Sequence, residues 1–139
     1  MLVTVAQGEI VGAPISKGGA IVRVTPDGGV EDKPVVEGMT RPMGLDFAPE
    51  EFGEYGGQLF VADVASIQVP VPMTQTLATD GKIYRVTSAG ELQLVASGFF
   101  NPAGIRFLDA QLWVSDINGD FIAGKRELPD GFIVEIRIQ

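Results

Sequence analysis

Asp116-Ile117-Asn118-Gly119-Asp120 sets three oxygen-bearing side chains at alternate positions, and Glu127 follows at the twelfth position counted from Asp116. That is the spacing of a calcium loop, in which carboxylate and amide oxygens surround a hard cation and a terminal glutamate closes the shell. Ca²⁺ is the ion such a loop would take, with Asp116, Asn118, Asp120 and Glu127 as its ligands. The match is incomplete, because Phe121 holds the position at which these loops turn on a glycine. Asn118-Gly119 is also a turn pair in its own right, which accounts for the same letters without a metal.

A second group recurs. Asp63 closes Gln58-Leu59-Phe60-Val61-Ala62-Asp63 and Asp116 closes Gln111-Leu112-Trp113-Val114-Ser115-Asp116. Two acids ending equivalent strands could form a carboxylate pair on one rim, or each could accept backbone N–H bonds where its strand bends into a loop. Arg41 and Asn101 stand at matched corners before Pro42 and Pro102, placed to reach a ligand or to satisfy loop carbonyls.

Composition removes several chemistries. The 139 residues contain no histidine and no cysteine. The commonest general base, the thiol nucleophile, disulfides and thiolate-bound metals are therefore absent from the chain itself. A net charge of −8 opposes binding to nucleic acid or anionic membranes. Met1-Leu2-Val3-Thr4-Val5 lacks the charged start and long apolar run of a signal peptide, and no segment approaches the ~20 apolar residues of a membrane-spanning helix. Compartment is left open by these letters.

The elements that would position these residues are short strands. Ile83, Tyr84 and Val86 form a β-branched and aromatic run ending at the turn Thr87-Ser88-Ala89-Gly90, and Leu92, Leu94 and Val95 make the return strand. Gly19-Ala20-Ile21-Val22-Arg23-Val24 repeats Gly81-Lys82-Ile83-Tyr84-Arg85-Val86, and Gly131-Phe132-Ile133-Val134-Glu135-Ile136 gives the pattern a third time. Arg41-Pro42-Met43-Gly44-Leu45-Asp46-Phe47 matches Asn101-Pro102-Ala103-Gly104-Ile105-Arg106-Phe107. Four short strands in a period of roughly fifty to sixty residues indicate a propeller-like repeat.

These phrases, P-x-G-[LI]-x-F, L-[FW]-V-x-D and G-x-I-x-R-V, resemble the six-bladed β-propellers that include NHL-repeat proteins, sugar-lactone lactonases and soluble sugar dehydrogenases. The resemblance covers most of residues 19–138 and specifies blades rather than chemistry. It implies an all-β domain over 1–139 with about ten antiparallel strands, roughly half of a six-bladed ring. In the lactonases it implies metal ligands immediately before the glycine of certain innermost strands. Those positions here are Met43 and Ala103, which offer no hard oxygen. The sugar dehydrogenases use a histidine base that this chain lacks.

An open half ring would leave an apolar face of about 500 Å² at each end. At ~25 cal/mol per Å² that is on the order of 10 kcal/mol per end, enough to favour a homodimer that completes the ring. The bland alternative is that the chain is a piece of a longer polypeptide. Three long connections, 7–18, 64–80 and 117–130, emerge at one end of the ring, and variable loops on a rigid sheet are where binding concentrates. The favoured reading is a non-catalytic binding or assembly module taking a small molecule, a sugar or a protein, with Arg41, Met43, Asp63, Asn101, Ala103 and Asp116 facing the ligand. The alternative is a metal-dependent hydrolase of the sugar-lactone type.

Overall fold

Alternating β-branched and aromatic residues, cut at short intervals by glycine, proline and aspartate, leave strands as the available regular structure. The computed structural model describes residues 1–5, 18–64, 81–117 and 131–137. Among these described residues are ten strands: β1 (Leu2–Val5), β2 (Gly19–Arg23), β3 (Val36–Met39), β4 (Pro42–Phe47), β5 (Leu59–Asp63), β6 (Gly81–Val86), β7 (Leu92–Phe99), β8 (Pro102–Leu108), β9 (Gln111–Ile117) and β10 (Gly131–Ile136). The acidic segment after β4 holds one 3₁₀ turn, Gly53–Tyr55. Among the described residues no helix is long and apolar enough to cross a membrane.

The strands form three antiparallel sheets in chain order, β1-β2-β3, β4-β5-β6-β7 and β8-β9-β10, none closed into a barrel. The architecture is all-β and propeller-like. By composition Val30–Glu37 reads as one outer strand interrupted by Pro34, and the structure shortens it. Val24 and Val30 make only an isolated bridge, and the strand proper starts at Val36. Proline has no N–H to give the ladder, so pairing resumes beyond it, beginning with Val35 N–H to the Ile21 carbonyl at 2.8 Å.

Register makes the three sheets superimposable in sequence. Ala62 pairs with Ile83 and Ser115 with Ile133, while Asp63 pairs with Lys82 and Asp116 with Phe132. Strand alternation then sends Ile21 and Ile83 forward onto the next sheet. Ile21 clusters with Leu59 and Val61 of the second sheet. Ile83 clusters with Ile105, Leu112 and Val114 of the third. Phe60, fully buried, meets Phe107 across that second seam edge-on, with ring centroids 5.1 Å apart.

Close approach at each seam requires glycine. A Cβ on Gly81 would lie 2.6 Å from Pro102 Cδ and 2.9 Å from the Phe99 carbonyl oxygen, and Gly19 lies under Pro42 in the same way.

The two flanks of this stack differ. At the front of the third sheet Ile133 is 69% exposed, although its counterparts Ile21 and Ile83 are 0% exposed. At the rear of the first sheet Val5, Ala20 and Val22 are buried. The expected pair of apolar ends is therefore one open flank and one covered flank.

The two-residue turn between Leu108 and Gln111 uses Asp109 at φ 49° and Ala110 at φ 56°. Left-handed backbone at alanine costs on the order of 1 kcal/mol, partly offset by the entropy that glycine loses on folding. Ala110→Gly is therefore expected to raise stability by about 0.5 kcal/mol, read as a higher urea midpoint at unchanged m-value.

Candidate functional site

Arg41, Met43, Asp63, Asn101, Ala103 and Asp116 gather at one end of the stack, where β5 and β9 finish and β4 and β8 begin. Asp63 and Asp116 do the same local job there. The Asp63 carboxylate accepts the Thr40 and Arg41 N–H groups at 3.0 and 2.6 Å. The Asp116 carboxylate accepts the Phe100 and Asn101 N–H groups at 3.0 and 2.6 Å. Both acids are buried. They tie down the corners that lead into the innermost strands, which is the structural one of their two sequence readings.

Beyond each corner the innermost strand carries one residue more than its partner, between Pro42 and Leu45 in β4 and between Pro102 and Gly104 in β8. Such bulges re-aim side chains and main-chain groups. Met43 and Ala103 lie in these irregular stretches, Met43 41% exposed and Ala103 half-buried. The Met43 carbonyl accepts from Thr4 Oγ1 at 2.8 Å, which ties β1 to β4. A Cβ on Gly44 would come within 2.5 Å of the Ala103 carbonyl oxygen, so the innermost strands of the second and third sheets touch through this glycine. Gly104 N–H donates to Ser115 Oγ at 2.8 Å.

The matched corners differ in side chain. Arg41 is exposed, whereas Asn101 is only 5% exposed. Among the described residues neither Asn101 Oδ1 nor Nδ2 has a hydrogen-bond partner. A buried primary amide in that condition forfeits about 1–3 kcal/mol unless something outside the described residues both donates to it and accepts from it. The repeat shows asparagine replacing arginine at this corner. Burial of the side chain is a tertiary property that the letters do not reveal.

Of the proposed calcium ligands only Asp116 is described; Asn118, Asp120 and Glu127 lie outside the described residues, as do nearly all residues of the three long connections. Among the described residues no group of three or more potential ligating side chains comes together.

Two clefts open elsewhere. One of about 530 Å³, lined by Asp46, Phe47, Arg106, Phe107 and Leu108 among others, lies at the opposite end of β4 and β8. Two of its charged groups engage within the chain: Asp46 Oδ2 accepts Phe107 N–H at 3.0 Å and lies 3.7 Å from Arg106 Nη1. The other, about 390 Å³, runs past Tyr55, Arg85, Leu94 and Arg137. The Arg85 guanidinium stacks over the Tyr55 ring at 4.4 Å there. Bidentate hydrogen bonding from Arg137 holds the Glu135 carboxyl below its ordinary pKa. Neither cleft holds a buried polar group in want of a partner.

Comparison with protein-family models, with curated proteins and with solved structures finds no match for this chain.

Proposed function

We propose that this chain is a non-catalytic binding module of the β-propeller type, taking a small polar ligand of the sugar class at the end where β4 and β8 begin. The observation that carries this reading is the Asn101 side chain, buried with both amide atoms unpartnered among the described residues. A sugar hydroxyl both donates and accepts, which is the complement that a primary amide requires. Asp116 holds the Asn101 main chain in place, and Arg41 stands at the equivalent corner of the second sheet. Asp63 and Asp116 each accept two main-chain N–H groups, and no described feature singles out the hydrolase reading.

Thermal melting of wild type and Asn101→Leu against a panel of neutral sugars, uronic acids and aldonolactones tests the proposal. The leucine variant is expected to melt higher than wild type without ligand, because an unpaired amide is replaced by an apolar group of similar volume. It should also lose any rise in melting temperature that a panel member gives wild type. No response by wild type, or a response that persists in Asn101→Leu, would sink it.

The same assay addresses calcium. A rise at millimolar Ca²⁺ would assign the 116–127 loop to the ion. The absence of a rise at millimolar Ca²⁺ would retire that reading.

A further inference from the structure

We infer that the open front of the third sheet is a docking surface for a β-sheet whose innermost strand opens with proline. Two seams of this kind already lie inside the chain. At each, the glycine that begins one strand lies under the proline that begins the next sheet, Gly19 under Pro42 and Gly81 under Pro102. Two residues further on, Ile21 and Ile83 are sealed against an aliphatic pair at alternate positions of the following sheet, Leu59 and Val61 in one case, Leu112 and Val114 in the other.

Register puts Gly131 and Ile133 at the same two points of the third sheet. Both glycines of the internal seams are buried, whereas Gly131 is exposed. Ile133 is 69% exposed where its counterparts are 0%. The surrounding positions follow suit. Ser115 is exposed where the second sheet has fully buried Ala62, and Trp113 is half-buried where it has fully buried Phe60. Among the described residues Trp113 Nε1–H finds no acceptor.

These features state what the occupant must supply. It brings a proline over Gly131 and two aliphatic side chains at i and i+2 of a strand over Ile133. Continuity with the two internal seams identifies the occupant as a sheet stacked in the same sense, not a helix or a loop. A second copy stacked head to tail would present the rear of its first sheet, and there Val5, Ala20 and Val22 are already covered.

The probe is a fluorescent synthetic peptide with the sequence of residues 101–115, the proline-headed stretch that fills the second internal seam. The full chain is expected to bind it saturably. Ile133→Asp and Gly131→Val, both at exposed positions and expected to melt with wild type, should each weaken binding at least tenfold, as should Pro102→Ala within the peptide. Absence of binding at millimolar chain, or binding indifferent to Ile133→Asp, overturns the proposal. Sedimentation equilibrium of the chain alone forms the second arm. A monomer supports an outside partner, whereas a dimer that Ile133→Asp dissociates assigns the surface to a second copy and overturns it. Neither arm reads the Asn101 site, so failure here is distinct from failure of the sugar-binding proposal.

Discussion

Asp116→Ala is expected to destabilise the chain by about 3–5 kcal/mol, the largest effect of any single side-chain truncation proposed here. The Asp116 carboxylate is 2% exposed and accepts two main-chain N–H groups, from Phe100 at 3.0 Å and Asn101 at 2.6 Å. Charge-assisted bonds of this kind contribute about 1.5–3 kcal/mol each, and truncation also strands both donors at a partly buried corner. Asp116→Asn keeps one acceptor and turns an NH₂ toward the other donor, so a loss of about 2–3 kcal/mol is expected. Asp63→Ala should behave alike in the second sheet, where the acceptor holds Thr40 and Arg41. Urea unfolding at constant m-value gives these numbers. An Asp116→Asn variant as stable as wild type would show that the acid is not a corner tie and would return it to the list of ligand-facing groups.

The second large effect belongs to the seams. Gly81→Ala places a methyl group 2.6 Å from Pro102 Cδ and 2.9 Å from the Phe99 carbonyl oxygen, both rigid, so the third sheet must move away from the second. Displacement there loosens the contact that buries Ile83, Leu112 and Val114. Overpacking and lost burial together are expected to cost about 2–4 kcal/mol, and more for Gly81→Val. Gly131→Ala is the internal control. It occupies the same register but is exposed, so its effect should fall within about 0.5 kcal/mol of zero. Equal costs at Gly81 and Gly131 would deny that the seam is what demands glycine.

Much of this architecture is legible in the chain because the repeat reports on itself. L-[FW]-V-x-D and P-x-G-[LI]-x-F mark strands that the structure places at β5, β9, β4 and β8, and the matched glycines mark where β6 and β10 begin. Turn chemistry is local, so Thr87-Ser88-Ala89-Gly90 is readable without tertiary information. What lies beyond the letters is what neighbours decide. The displacement of β3 past Pro34 depends on which N–H groups its partner can reach. Val3, Val5 and Val22 carry the same apolar letters as an exposed flank would, yet Val5 and Val22 are buried. The choice between the two roles of Asp63 and Asp116 depends on where the preceding corner returns in space. The isolation of the Asn101 amide likewise cannot be read from Asn101-Pro102, because Arg41-Pro42 has the same local grammar with an exposed side chain.

The most direct test of the binding role is the Asn101 side-chain NH₂ pair in a ¹H–¹⁵N correlation spectrum, assigned by its disappearance in Asn101→Asp and followed while the best sugar or lactone from the melting panel is added. The pair is expected to shift saturably, in step with the rise in melting temperature. A pair that stays fixed while that compound saturates the protein would place the ligand elsewhere and contradict the account.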